Sequence, residues 1–126
     1  MPDQKVILLV EDDSLISRMY QEKFLRDGFE VILAFNGEQG LEQAALKPDI
    51  ILLDIMMPKM NGYEMLKLLK KKRGLASIPV IILSSIGGDM ELIEKAKKLG
   101  VADTIVKGDV SPKQVVERVR KVLEGK

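Results

Sequence analysis

Polar residues follow four of the five aliphatic runs in this sequence, and they are of the kinds that bind phosphate groups and divalent cations. Two acids follow the first run, one acid ends the third, a hydroxyl ends the fourth and a lysine ends the fifth: Glu11, Asp12, Asp54, Ser84 and Lys107. Parallel strands of one sheet end at the same edge, and open α/β sheets bind their ligands there. If the runs are such strands, these five side chains share one crevice.

Three carboxylates in one crevice need a counter-charge. Two like charges about 4 Å apart repel each other by roughly 4 kcal/mol at an effective dielectric constant of about 20. One lysine cannot balance Glu11, Asp12 and Asp54, whereas a hard divalent cation with oxygen ligands can. Mg²⁺ suits a site of few carboxylates that leaves water positions for a phosphate to occupy. The sequence therefore predicts a magnesium site at this edge of the sheet.

A bound cation gives Asp54 a further role. A carboxylate can attack phosphorus and form an aspartyl phosphate, if the charge on the phosphoryl oxygens is stabilised. Mg²⁺ would hold one of these oxygens, Lys107 would pair with a second, and the Ser84 hydroxyl would reach a third. We prefer this interpretation, because it gives each polar strand end a task. In the alternative, Asp54 caps a turn and the acids after the first run are ordinary surface residues.

Strand and helix patterns alternate along the chain and can position these groups. The predicted strands are short aliphatic runs: 6–10, 29–35, 50–53, 80–83 and 102–106. Each strand precedes a segment with apolar residues at helical spacing, which predicts a helix. The spacing places Met19 on the apolar face of the first helix and Ala45 on that of the second, and the third helix is predicted to reach about Gly74. Such alternation requires right-handed crossovers and a parallel sheet covered on both faces. We therefore predict an α/β fold, a five-stranded doubly wound sheet with five helices, in the order 2-1-3-4-5 common among small folds of this pattern.

The composition excludes several classes of function. The 126 residues, 46% of them hydrophobic, have the size of one domain, and a formal net charge of +1 gives no reason to expect a nucleic acid or a membrane as partner. The lysine-rich run 70–73 closes a predicted helix, where cations suit the helix dipole. Cysteine and histidine are absent, which excludes disulfides, thiolate zinc sites and Ser-His-Asp triads. Without a signal peptide or an apolar run of about 20 residues, we expect one cytoplasmic domain over residues 1–126 and no effector domain.

With these residues at these positions, the chain resembles the response-regulator receiver domains of bacterial two-component signalling, over essentially its whole length. The resemblance implies a flavodoxin-like fold. It implies that the acidic pair is Glu11 and Asp12, that the phosphoacceptor is Asp54, and that the backbone carbonyl of Met56 is a further ligand of Mg²⁺. It also implies that Ser84 is the switch hydroxyl and that Lys107 is the lysine that pairs with the phosphate. It also implies that a histidine kinase or phosphotransfer protein donates the phosphoryl group, and that a downstream protein partner receives the signal. Such a chain is a switch and not a turnover enzyme.

Three positions depart from the pattern of that family. Gly108 stands where many receivers have a proline in a cis peptide bond, so the geometry of this loop is open. Thr104 stands where many have a Tyr or Phe that turns inward on activation, so the aromatic readout is absent or replaced. Ser84 replaces the commoner threonine and keeps the hydroxyl.

The same residues leave one alternative function open, oppose two others and predict one kinetic property. A receiver-fold interaction module that is never phosphorylated remains an alternative, which Gly108 and Thr104 favour and the intact acids oppose. A phosphohydrolase would need a second acid where Met56 stands, and a flavin-binding protein would need a phosphate-binding loop where three acids stand. Met56 and Ile86 lie two residues beyond Asp54 and the switch hydroxyl, and neither can orient a water by hydrogen bonding. We therefore predict a long-lived phosphoryl group.

Overall fold

The computed structural model of the chain describes residues 4–85 and 87–125 as alternating strands and helices. The strands are β1 (Val6–Val10), β2 (Glu30–Ala34), β3 (Ile50–Asp54), β4 (Val80–Ser84) and β5 (Asp103–Val106). The helices are α1 (Ser14–Arg26), α2 (Gly37–Ala44), α3 (Gly62–Lys70), α4 (Met90–Leu99) and α5 (Pro112–Glu124). The predicted α/β fold with five strands and five helices is confirmed.

The strands form one parallel sheet in the order β2-β1-β3-β4-β5, which confirms the predicted topology. All residues of β3 and β4 are buried, because helices cover both faces of the sheet. β2, which begins with the exposed Glu30, lies at one edge, and β5 lies at the other. The chain winds in opposite directions from β1 and from β3, so a crevice opens between the carboxyl ends of these two strands.

Strand side chains alternate between two apolar layers, one on each face of the sheet. The layer beneath α2, α3 and α4 is formed from the strands by Leu8, Val10, Ile51, Leu53, Val80 and Ile82. The layer beneath α1 and α5 is formed by Ile7, Leu9, Ile50, Leu52, Ile81, Leu83 and Ile105. This alternation has period two, as side chains in a strand require. The sheet is thus rigid support for the side chains at its edge.

Three helix predictions were wrong in detail. Met19 is 45% exposed, and the stripe of α1 that faces the sheet is Ser17, Tyr20 and Phe24. Ala45 follows the end of α2 and is exposed. α3 ends at Lys70, four residues before Gly74, because buried Leu75 and Ile78 fold the following turns against the core. Among the described residues, no helix is long and apolar enough to cross a bilayer.

Candidate functional site

Glu11 and Asp12 extend from the end of β1 in different directions. Glu11 is fully buried, and its Oε2 accepts a hydrogen bond from the Asp13 N–H at 3.1 Å. Asp13 is the N-cap of α1, where its carboxylate accepts from two backbone N–H groups of the first turn. Asp12 between them is exposed. The start of α1 therefore fixes one acid inside the crevice and leaves the next acid at its mouth.

Asp54 ends the central strand β3 and is only 3% exposed. Its Oδ1 accepts the backbone N–H of Met56 at 3.2 Å, so the chain turns over the carboxylate directly after the strand. Ile55 continues the pairing to β4 by donating to the carbonyl of Leu83 at 2.9 Å. The carboxylate is held from its own strand and from the loop that follows it.

Gly62 holds the other end of that loop against Asp54. Its N–H donates to the carbonyl of Ile55 at 2.9 Å, and a Cβ at this position would collide with the carbonyl oxygen of Asp54 and would lie 2.8 Å from the Cα of Ile55. Between them, the N–H of Met60 donates to the carbonyl of Pro58 at 2.8 Å, and the intervening Lys59 has φ +69°. This is a γ-turn with its central residue in the left-handed region, a strained conformation for a side chain. The loop is compact because Gly62 admits close backbone approach.

Lys107 connects the acids of both strands. Its Nζ lies 2.9 Å from Oε1 of Glu11 and 3.4 Å from Oδ2 of Asp54. Its backbone N–H donates to the carbonyl of Ser84 at 2.6 Å, so the ends of β4 and β5 are joined at this residue. Gly108 follows with φ +93°, a conformation that glycine adopts without strain. The loop geometry that the sequence left open is thus a glycine turn, which reverses the chain towards α5.

The electrostatics of the crevice reflect an excess of negative charge. Burial raises the pKa of Asp54 and the neighbouring Glu11 raises it further, to about 7, although Lys107 opposes this. Burial disfavours the charged form of Lys107, but its hydrogen bond to Glu11 and the charge of Asp54 raise its pKa above the ordinary value. The lysine therefore remains charged, and one ammonium does not suffice to keep both buried carboxylates ionised at neutral pH.

These residues fit a magnesium ion. Carboxylate oxygens of Glu11, Asp12 and Asp54 all lie within 4.8 Å of one another, and hard oxygen donors are those that Mg²⁺ prefers. Burial first, and then the neighbouring Glu11, raise the pKa of Asp54, and a nearby cation would favour its charged form. Asp12 is exposed, so the site is open to solvent on this side. A divalent cation would supply the missing counter-charge.

The structure brings the predicted site residues to one edge of the sheet. Glu11, Asp12, Asp54 and Lys107 form one cluster, and Ser84, which is 3% exposed, ends the neighbouring strand. Met56 is half exposed beside Asp54, and Ile86 lies outside the described residues. Two features were not predicted from the sequence. Glu11 is the closer partner of Lys107, and Gly62 lets the loop after β3 pack against the backbone of Asp54. The Asn-Gly pair at 61–62 was the available signal for the second.

Thr104, which stands where many receivers have an aromatic residue, lies on β5 opposite Ile82 of β4. Since Ile105 packs into the layer under α1 and α5, alternation places Thr104 on the α4 side of the sheet. Its carbonyl accepts a hydrogen bond from Arg118 at 3.1 Å, and Arg118 also pairs with Asp103. The part of the sheet beside α4 thus carries a small polar side chain where an aromatic one is common.

Comparison with known proteins gives one consistent family. The sequence profile described as the response regulator receiver domain matches residues 7–120. The chain is 37% identical over 120 residues to the uncharacterized transcriptional regulatory protein YcbL of Bacillus subtilis, covering 92% of this chain and 50% of that protein. It is 36% identical over 117 residues to the transcriptional regulatory protein CpxR of Escherichia coli, covering 93% and 48%. The chain spans about half the length of the curated relatives it matches.

Solved structures give the same match. A CheY-like response regulator receiver domain protein from Methanospirillum hungatei superposes with a TM-score of 0.89 at 26% identity, over 98% of this chain and 96% of that one. The receiver domain of the Francisella response regulator 1452 gives a TM-score of 0.83 at 30% identity, over 96% and 98%.

Proposed function

This chain belongs to the response regulator receiver domain family, and we propose that it is a phosphoryl-accepting switch in which Asp54 receives the phosphoryl group of a histidine kinase or phosphotransfer protein. The observation that carries the proposal is the contact of one ammonium with two buried carboxylates of separate strands, beside an exposed third. A structural ion pair needs one acid. A phosphoryl-transfer site needs this excess of oxygen donors.

Each residue has a defined part in the transfer. A carboxylate oxygen of Asp54 forms the new bond to phosphorus while the nitrogen–phosphorus bond of the donor histidine breaks, and the electron pair leaves with the imidazole. Lys107, already 3.4 Å from the carboxylate, pairs with a phosphoryl oxygen and neutralises its charge. The Ser84 hydroxyl donates to another oxygen. Glu11, Asp12 and the backbone carbonyl of Met56 would hold Mg²⁺ together with Asp54, and the ion would neutralise charge on the transferring group.

The switch follows from the connections of Ser84. Its carbonyl accepts the N–H of Lys107, so a shift of the hydroxyl towards the phosphoryl group also moves the ends of β4 and β5. The face formed by α4, β5 and α5 is the surface that changes, and phosphorylation shifts its population between two arrangements. We propose a downstream protein as the recipient of this change. The matching relatives are named transcriptional regulatory proteins. We also propose a cytoplasmic location for this chain, as expected for a receiver domain.

A direct test is the transfer of a phosphoryl group in vitro. The protein is incubated with a small acyl phosphate, with and without Mg²⁺, and its mass is measured. We expect an acid-stable, base-labile gain of about 80 Da that requires the ion and is lost in Asp54→Ala. Asp109→Ala, at an exposed aspartate of the loop after β5, is the matched control and keeps the adduct. An adduct that persists in Asp54→Ala, or none in the wild type with Mg²⁺, contradicts the proposal.

The second candidate is an interaction module that acts without phosphorylation. The observation in its favour is Thr104, because a threonine cannot bury the apolar area of the aromatic side chain that many receivers use. The same experiment separates the two candidates, because the module forms no adduct yet would bind its partner equally well in Asp54→Ala.

A further inference from the structure

A basic surface lies at the edge of the sheet opposite the acidic crevice. Each helix connects the carboxyl end of one strand to the amino end of the next, so α2, α3 and α4 all end at this opposite edge. Lysine and arginine side chains collect there, and we call this set the basic surface: Lys47, Lys70, Lys71, Lys72, Arg73, Lys97 and Lys98.

Two close approaches join the three helix ends into one surface. Nζ of Lys47, after α2, lies 3.9 Å from the point where Gly74 would carry a Cβ, in the turn after α3. Nζ of Lys70, at the end of α3, lies at the same distance from the corresponding point of Gly100, the cap of α4. Lys70 also donates to the carbonyl of Ala76 at 3.1 Å, which holds its ammonium in this region. The three helix ends that carry these cations are therefore adjacent.

The basic surface carries little compensating negative charge. Among the described residues, Lys97 is the only member of the set that forms a salt bridge, with Glu94 at 3.5 Å. The buried acids Glu11 and Asp54 lie at the other edge of the sheet. The formal net charge of +1 therefore does not describe how charge is distributed over the surface. The sequence-based expectation of no membrane partner used that net charge, and it explained the run 70–73 by the helix dipole alone.

An apolar side chain lies among these cations. Leu46 immediately precedes Lys47, follows the end of α2 and is 65% exposed. A lysine-rich surface with an exposed leucine can bind the headgroup region of an anionic bilayer. The lysines are attracted to the negatively charged headgroups, and the leucine side chain is transferred from water into the apolar boundary of the bilayer.

From this combination we infer that the basic surface docks the protein on anionic phospholipid. Other anionic partners fit less well. Protein interfaces are depleted in lysine, and carboxylate recognition favours the fork of arginine, of which the set has only Arg73. Single-stranded nucleic acid needs aromatic side chains for base stacking, and the set contains none. A duplex would be bound through its phosphates alone and gives Leu46 no apolar contact.

The positions of the basic surface and of the acidic crevice determine how the protein is oriented on an anionic bilayer. With the basic surface against the headgroups, the crevice that holds Asp54 faces away from the bilayer. The acidic edge is repelled by the same headgroups, which favours this orientation further. The phosphoacceptor therefore stays open to a partner while the protein is bound, and docking does not depend on phosphorylation.

The test is co-sedimentation with lipid vesicles. We compare phosphatidylcholine vesicles with vesicles that contain about one-third phosphatidylglycerol, at low salt, where the Debye length is about 10 Å, and at high salt, where it is about 3 Å. Each basic residue near an anionic bilayer strengthens binding by about fivefold. The variant Lys71→Gln/Lys72→Gln should therefore weaken binding by about 25-fold. The matched control, Lys95→Gln/Lys113→Gln, removes the same charge outside the set and should leave binding unchanged.

Leu46→Ser distinguishes a bilayer from other polyanions. Losing the insertion of one leucine should weaken vesicle binding by about tenfold and should not affect binding to a DNA duplex. Thermal melting confirms that each variant is folded. The inference is wrong if the anionic vesicles bind no better than the neutral ones at low salt, or if both lysine double variants weaken binding equally. It is also wrong if the duplex binds more tightly than the vesicles and Leu46→Ser changes neither.

Discussion

Replacement of Asp54 by asparagine is expected to stabilise the metal-free protein while abolishing phosphorylation. Asparagine has nearly the same shape, its amide oxygen can accept the N–H of Met56, and its NH₂ can donate to Glu11, which the carboxylate repels. The substitution therefore removes a buried charge together with its ion pair to Lys107 and keeps the contacts with Met56 and Glu11.

The size of the effect follows from the pKa of Asp54. Folding raises it from 3.8 to about 7, so the folded protein holds a proton that the unfolded chain has released between these pH values. Stability consequently falls as the pH rises through this window. At about 1.4 kcal/mol per pH unit, the ionised carboxylate costs about 4 kcal/mol above pH 7. That cost already includes the favourable charge of Lys107, and an amide replaces a protonated carboxyl group only in part, so we expect a net stabilisation of about 2 kcal/mol, or about 6–10 °C in Tm.

Urea unfolding in the presence of a chelator, from mildly acidic to mildly alkaline pH, measures this difference. The gap between Asp54→Asn and the wild type should narrow at acidic pH, where Asp54 is protonated and its burial costs little. Addition of Mg²⁺ should raise the stability of the wild type more than that of the variant. Asp109→Asn removes an exposed carboxylate and serves as the control for a general change of charge.

The reasoning is refuted if Asp54→Asn is no more stable than the wild type at alkaline pH without metal. It is equally refuted if the gap widens as the pH falls, because the sign of the linkage would then be reversed. A stability gain of the same size in Asp109→Asn would assign the effect to total charge and not to the crevice.

Three further predictions concern neighbouring positions. Met56→Asn places a side chain that can orient water beside the phosphoryl group, so the aspartyl phosphate should decay several-fold faster, as followed by loss of radiolabel; an unchanged decay would show that this side chain does not limit hydrolysis. Gly62→Ala forces the loop away from Asp54 and should cost about 2 kcal/mol or more in unfolding free energy, together with slower phosphorylation; wild-type values for both would mean that the close approach is not needed. Hydrogen bonds from Arg118 lower the pKa of Asp103, so this pair stabilises the fold above the ordinary pKa of 3.8 and ceases to do so as the pH falls through the lowered value. Arg118→Gln should therefore cost about 0.5–1 kcal/mol at neutral pH and nothing once the carboxyl is protonated; an equal loss at both pH values would point to packing instead.

The sequence predicted the central strand well, because its aliphatic run is a clear pattern. Four consecutive aliphatic residues before Asp54, bounded by Pro48 and Pro58, are typical of a central strand of a parallel sheet, which is buried on both faces. The order of the strands, which the structure confirms, could not be predicted from periodicity. It was taken from small folds of this pattern and from the family resemblance. Once that order is known, the carboxyl ends of β1 and β3 must be neighbours, and the acidic crevice follows.

What the sequence did not predict depends on contacts between distant segments. Met19 fits a helical stripe by spacing, but the burial of Ser17 shows that α1 is rotated by the packing of Tyr20 and Phe24 against the sheet. The conformation of Gly108 depends on how β5 meets α5. The preference of Lys107 for Glu11 over Asp54 is a matter of a few tenths of an ångström, which spacing along a chain cannot encode.

The position of β5 at the edge of the sheet bears on how the protein loses structure locally. Asp54 lies on a strand paired on both sides, whereas Lys107 follows a strand paired only with β4. Amide protons of β3 should therefore exchange with solvent only through global unfolding, while those of β5 exchange through smaller openings of the edge. Lys107 can then leave and return while the carboxylate of Asp54 stays in place, so the proposed phosphoryl group would be held on a strand paired on both sides and sensed by a residue that follows an edge strand.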